Sequence, residues 1–289
     1  MKKLITTLFT LSLLITPTVN AFAAGTTTAE VESNNSVATA QTINRNLVTA
    51  ATTIDASYDG QNVVKGSLSS GTDVDWYKVY LPAGTQILSI NSTALSSDGI
   101  WNIYSTDGDL IDRVYHTQNS SKYFGATPYK ITIPSSAFYY IKVASSSANI
   151  SGDYLFSIGN PNYNVNSVSY TAPSSLTLTT STTSAQATYN LGSLNVPNNA
   201  IAYKVNISGS KTNNASNQYR YIKAYKDSSW IRSASYTYDA NIPVMNNDYV
   251  KDNWMVKVTG NVSSSSRPFT LYPNLYFSYV YAVVPDFEK

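Results

Sequence analysis

The sequence predicts an all-β protein: two β-sandwich domains in tandem behind a cleaved signal peptide. Three observations predict it. Beyond residue 24, apolar and aromatic residues recur at period two, and helical periodicity is nearly absent. The runs are short, rich in β-branched residues and Tyr, and bounded by Gly, Pro, Asn, Asp and Ser. The chain has 289 residues and no cysteine. It must therefore hold itself together by a large core, not disulfides, and about 265 mature residues suit two domains.

Residues 1–24 read as the signal peptide. Lys2 and Lys3 form a basic start, residues 4–15 a short apolar run, and Ala21-Phe22-Ala23 a small-x-small cleavage pattern, placing cleavage near Ala23 or Ala24. That run is shorter than the ~20 residues of a membrane span, so the expectation is a secreted chain with no membrane span. The first domain, 25–160, shows strand patterns at 63–68, 76–81, 86–92, 100–105, 110–114, 129–133, 139–144 and 154–158, with a modest helical candidate at 36–43. Gly159-Asn160-Pro161-Asn162 breaks the pattern. The second domain, 161–289, continues with strands at 164–170, 176–180, 186–191, 201–208, 219–226, 230–238, 254–259 and 269–284, the last expected to split in two at Pro273.

Charge is sparse, at 12% of residues, and after removal of Lys2 and Lys3 the 17 remaining basic residues balance 17 acidic ones. Residues 25–160 hold 11 acidic and 7 basic side chains, and 161–289 hold 6 and 10. The first balance fits a cation site, and the second permits an anionic partner. Nothing forms the dense Lys/Arg stripe of a nucleic-acid binder.

Glu30, Glu32 and Asn34 occupy alternate positions, so an extended segment projects all three one way. Carboxylates and amides are hard oxygen donors of the kind Ca²⁺ gathers, six to eight at roughly 2.3–2.6 Å. Asp73 and Asp75 offer a second acidic pair. The alternative is a solvated leader in which Asn35 caps a helical turn. These residues also carry a resemblance. Glu30-Val31-Glu32-Ser33-Asn34-Asn35, Val64-Lys65-Gly66-Ser67-Leu68, Asp73-Val74-Asp75-Trp76-Tyr77, Leu81-Pro82-Ala83-Gly84 and Asp153-Tyr154-Leu155-Phe156 resemble the bacterial pre-peptidase C-terminal domain, related to the collagen-binding domains of clostridial collagenases. The resemblance covers about residues 28–160. It implies a jelly-roll-like sandwich with one structural Ca²⁺ held by Glu30, Glu32, Asn34, Asp73 and Asp75. Many relatives carry Asp where this chain has Asn35. It also implies a module that attaches to an extracellular substrate, although no peptidase domain accompanies it here.

The 24 tyrosines give a second candidate, with 14 of them in residues 161–289. Alternation places Tyr219, Tyr221, Lys223 and Tyr225 on one strand face, and after a turn at Asp227-Ser228-Ser229 it places Trp230, Arg232, Tyr236 and Tyr238 on one face of the next. Such a surface, formed above all by Tyr219, Tyr221, Tyr225, Trp230 and Arg232, suits a polysaccharide or protein polymer. The alternative is that this face is half of the core. His116 is the only histidine and is expected at the surface, which leaves little room for a Ser-His-Asp triad. The expectation is a non-catalytic secreted binder. The rivals are an interaction protein of the cell surface or biofilm matrix, and a hydrolase using carboxylates such as Asp239, Asp248 and Asp252.

Overall fold

The computed structural model describes residues 27–55, 61–118, 126–234 and 237–286. The signal-peptide reading lies outside these residues. Among the described residues the regular structure is almost wholly strand. The first half runs β1 (Thr27–Ala29), β2 (Gln41–Thr42), α1 (Ala50–Asp55), β3 (Val63–Leu68), β4 (Val74–Leu81), β5 (Gly84–Asn91), β6 (Gly99–Ser105), β7 (Leu110–Tyr115), β8 (Thr127–Ile133), β9 (Ala137–Ser145) and β10 (Gly152–Gly159). The second runs β11 (Asn162–Thr171), β12 (Leu176–Leu178), β13 (Ser184–Asn190), β14 (Ile201–Thr212), β15 (Ser216–Ala224), β16 (Ile231–Arg232), β17 (Asp239–Asn241), β18 (Asn253–Asn261) and β19 (Phe269–Val283).

In the first half, the sheet β1-β3-β10-β5-β8 faces the sheet β2-β4-β9-β6-β7. Period-two alternation makes the core between them. Along β4, Asp75, Tyr77, Val79 and Leu81 point inward, while Trp76, Lys78 and Tyr80 point out. Trp101 and Ile103 from β6 and Ile141 and Val143 from β9 complete that side of the core. In the second half, β11-β19-β14-β17, with β12 also on β19, faces β13-β18-β15-β16 around Trp254, Phe269, Leu271 and Phe277. The two cores are formed by separate stretches of chain, with Asn46 at the joint. Its backbone oxygen accepts from the Asn160 amide at 2.9 Å, and its Nδ2 donates to the Asn160 oxygen at 2.9 Å.

Several expectations are corrected. The helical candidate at 36–43 is only a 3-10 turn, Val37–Thr39, followed by β2. Ser36 and Thr39 bond one another and the local backbone, which favours the tight turn over a longer helix. The helix that does form is α1, entered through Thr49, whose amide donates to Thr52 Oγ1 at 2.8 Å. Of the strand expected over 230–238, the described residues form only Ile231–Arg232. Pro273 does not divide β19, because it sits where the neighbouring strand changes from β11 to β12 and opposite Gly209. Gly209 has φ +126, and a Cβ there would stand 1.9 Å from the Tyr272 oxygen, so only glycine fits.

His116, expected at the surface, is 1% exposed. It lies edge-on to Trp101, with Nδ1 3.1 Å from the Tyr129 hydroxyl and Nε2 3.1 Å from Gln118 Oε1. An amide oxygen can only accept, so with this amide orientation the proton sits on Nε2. Burial holds the imidazole below its ordinary value, and the Gln118 contact only partly opposes it. The fold thus prefers neutral histidine. The unfolded chain takes up its proton first, and stability falls as pH drops below about 6.5. On acidification from pH 7.5 to 5.5, the wild-type melting temperature should fall further than that of His116→Gln. Equal falls would show that His116 does not contribute to this acid sensitivity.

Candidate functional site

The leader of the first half bridges its two sheets. β1 runs parallel to β3, and β2 runs parallel to β4. Between them the Glu30 amide donates to the Lys65 oxygen at 2.9 Å, and the Trp76 amide donates to the Asn34 oxygen at 2.8 Å. This anchoring brings Glu30, Glu32 and Asn34 to the end of the core where Asp75 faces inward. One carboxylate oxygen each from Glu30, Glu32 and Asp75 lies within 4.8 Å of the others. Oxygens on one Ca²⁺ ion are at most about 5 Å apart, given bonds of roughly 2.3–2.6 Å, so the triad fits that ion.

The network around the triad leaves two oxygens unused. Asn34 is fully buried and gives its Nδ2 to Glu30 Oε1 at 3.2 Å, which leaves its Oδ1 without a partner. Asp75 is also fully buried. Its Oδ2 accepts from the Tyr154 hydroxyl at 2.6 Å, while no donor reaches its Oδ1. A buried acceptor without a donor costs about 1–3 kcal/mol, more if charged. Burial, then the nearby Glu30 carboxylate, pushes the Asp75 carboxyl up to about 8, although the Tyr154 bond acts the other way. Such orphaned oxygens beside crowded carboxylates suit a bound divalent cation.

Glu30 is further fixed by the Ser67 amide on Oε2 at 2.8 Å and the Tyr77 hydroxyl on Oε1 at 3.2 Å. The Tyr77 and Tyr154 hydroxyls lie 2.6 Å apart, and burial raises both above the ordinary tyrosine range. Gly66 makes room for them, since a Cβ there would stand 2.4 Å from the Tyr154 hydroxyl oxygen. No sequence motif signals the supporting role of Ser67, Tyr77, Tyr154 and Gly66, which arises only where their strands meet. Asp73 stands apart from the triad. Its Oδ2 accepts from the Ser69 amide at 2.7 Å and Ser69 Oγ at 2.6 Å, and its Oδ1 from the Val74 amide at 2.9 Å. Burial alone would raise this carboxyl, but those bonds outweigh it and hold it low. Asp73 pins the β3–β4 turn.

The aromatic candidate lies on the sheet β13-β18-β15-β16. Arg220, Ile222 and Ala224 of β15 point into the core, and Tyr219, Tyr221 and Lys223 point out, half-buried among one another. Tyr221 pairs with Lys257 on one side and Arg232 on the other. Lys257 Nζ lies 4.4 Å from the Tyr221 ring centre and 4.4 Å from that of Trp230. Arg232 stacks 4.9 Å over Tyr219. Tyr225 follows the end of β15 and is exposed. Tyr236 lies outside the described residues. Tyr238 leaves the group and stacks instead on buried Arg220, at 3.5 Å. No Asp or Glu occurs in any of these four strands.

No protein-family model and no curated protein matches this chain. Among solved structures, a protein from Eubacterium rectale described as secreted is similar at 14% identity, over 78% of this chain and 75% of that one, with a TM-score of 0.50. The likeness is one of fold. The pre-peptidase C-terminal domain of a Bacillus anthracis collagenase matches 41% of this chain and 93% of its own at 15% identity, with a TM-score of 0.30. A periplasmic inhibitor of g-type lysozyme from Aeromonas hydrophila matches 41% and 96% at 18% identity, with a TM-score of 0.26. Among the described residues no helix is long and apolar enough to cross a membrane.

Proposed function

We propose that this is a secreted, non-catalytic protein that holds an extracellular polymer on the outer face of β13-β18-β15-β16, with one structural Ca²⁺ in its first half. The half-exposed aromatic–basic face carries the reading. Tyr219, Tyr221 and Trp230 offer stiff ring surface interleaved with Arg232 and Lys257, and no carboxylate shares the sheet. Rings and directed cations together are what polymer recognition draws on.

Glu30, Glu32, Asp75 and the orphaned Asn34 oxygen would hold the ion. Bound there, Ca²⁺ would join the leader to β4 and relieve the crowding of carboxylates. The sequence motifs resembling the pre-peptidase C-terminal domain support the same assignment. The non-catalytic reading draws on how the chain uses its reactive groups. His116 is locked in the core, and Asp239 pairs with Lys204 at 3.2 Å.

Retention of the mature protein on immobilised polysaccharides, peptidoglycan and collagen, with and without Ca²⁺, tests the reading. Retention on at least one polymer without product release is expected. Release of soluble product, or retention on none of them, would overturn it.

A further inference from the structure

The first half presents an outer sheet face of the same chemistry. On β2-β4-β9-β6-β7, one register row runs Trp76, Lys142, Asn102, Arg113 across four strands, and the next runs Lys78, Tyr140, Tyr104. Tyr80 pairs with Phe138 in a third row, their rings edge-on at 5.5 Å and 46% and 44% exposed. The cations lie on the rings, Lys142 at 5.7 Å from Trp76 and Lys78 at 5.0 Å from Phe138.

Charge is segregated on this sheet. Of its two carboxylates, Asp75 is buried and Asp112 lies on the edge strand β7, opposite Ile103 at a register shift, and neither stands in these rows. Residues 25–160 hold 11 acidic and 7 basic side chains. Three of those 7, Lys78, Lys142 and Arg113, nevertheless share this face, and among the described residues none of the three has a carboxylate partner. Ordinary solvation would mix the signs, and an aromatic patch of this kind marks a binding surface. A second copy of the chain is a poor occupant, because the two cationic faces would repel.

We propose that this face is a second polymer site and that its ligand is an anionic polysaccharide, sugar rings lying on Trp76, Tyr80 and Phe138 and acidic groups meeting Lys78, Lys142 and Arg113. A neutral glycan would not require cations kept clear of carboxylates. The geometry of this face stands without the reading of the second half. If both hold, the chain is bivalent, and two linked faces bind far more tightly than either alone.

The test is retention on dextran sulfate, polygalacturonate and neutral dextran at rising salt, comparing wild type with Lys78→Gln/Lys142→Gln and with Arg232→Gln/Lys257→Gln. Tyr80→Ser serves as a ring-only variant of the first face, and melts confirm that each variant folds. Each double variant should lose roughly tenfold or more on an anionic glycan, the two together should lose nearly all binding, and salt should weaken the wild type. The sulfated and carboxylated glycans distinguish which acidic group is preferred. If the first-face variants bind as wild type while the second-face variant fails, this inference is overturned and the proposed function stands. If only the second-face variant is unaffected, the placement of function in the second half falls instead. Equal retention on neutral dextran overturns the anionic ligand.

Discussion

Replacing Asp75 by asparagine should abolish the calcium-dependent rise in melting temperature and at the same time stabilise the calcium-free protein at pH 8. The two signs have one cause. In the calcium-free fold Asp75 is buried with one oxygen unpartnered, and burial with Glu30 alongside lifts its carboxyl to about 8. An ordinary aspartate titrates near 3.9, so between about pH 4 and 8 the fold holds a proton that the unfolded chain has lost. The stability tied to that proton is complete below the unfolded value and disappears as pH rises through about 8. Asparagine resembles the protonated form, so the variant lacks this loss. It also offers no negative charge to the ion. Calcium must displace the Asp75 proton, so its effect on the wild type should be larger at pH 8 than at pH 5.5. With about 1 mM Ca²⁺ and a Kd near 0.1 mM, as for extracellular calcium modules, linkage amounts to about 1.4 kcal/mol, a few degrees of melting temperature. Wild-type melts at pH 8 that ignore calcium, together with flat calorimetry at millimolar calcium, would falsify the site.

That candidate site was partly legible in the sequence. The alternate spacing of Glu30, Glu32 and Asn34 showed, because it lies within five consecutive residues, although the chain bends at Glu32 and does not run as a strand there. Asp75 showed through its place beside Trp76, but not its burial, which follows from lying in phase with Tyr77 and Val79 on the core face of β4. Asp73 is equivalent to Asp75 in the sequence pattern but not in the fold. A serine four residues earlier captures its carboxylate, and local side-chain-to-backbone bonds of that kind compete with any distant use. Tyr77, Tyr154 and Gly66 lay inside motifs already noted, yet their role depends on a meeting of β3, β4 and β10 that no local pattern encodes.

The strands were the most readable part, since period two directly reports which face is buried. α1 was hidden because Thr52, Thr53 and Ile54 are β-branched and favour strands. Its one cue was Thr49 as a cap. The face of β4 bearing Lys78 and Tyr80 also passed unnoticed. Its register with β9 and β6 comes from strand pairing, and only that pairing gathers Phe138, Tyr140 and Lys142 beside them.

Removing Trp230 should cost much affinity and little stability. Its ring is half-exposed and lies under Lys257 at 4.4 Å and beside Lys223 at 5.5 Å. It therefore supports both the ring surface and the placement of two cations, while Trp254 and Ile222 fill the core behind the sheet. Exposed Trp, Tyr and Arg anchors commonly lose about 2 kcal/mol or more on truncation, roughly thirtyfold in Kd. A core tryptophan would instead cost about 3–5 kcal/mol of folding stability. Trp230→Ala is best measured twice, by thermal melt and by retention on the polymer that the wild type prefers. A melt close to wild type with affinity reduced thirtyfold is the expected pair. A large fall in melting temperature would make the ring part of the core packing. An unchanged melt with unchanged retention would remove this face from the function and leave the polymer to the first half, where Trp76→Ala supplies the matching measurement.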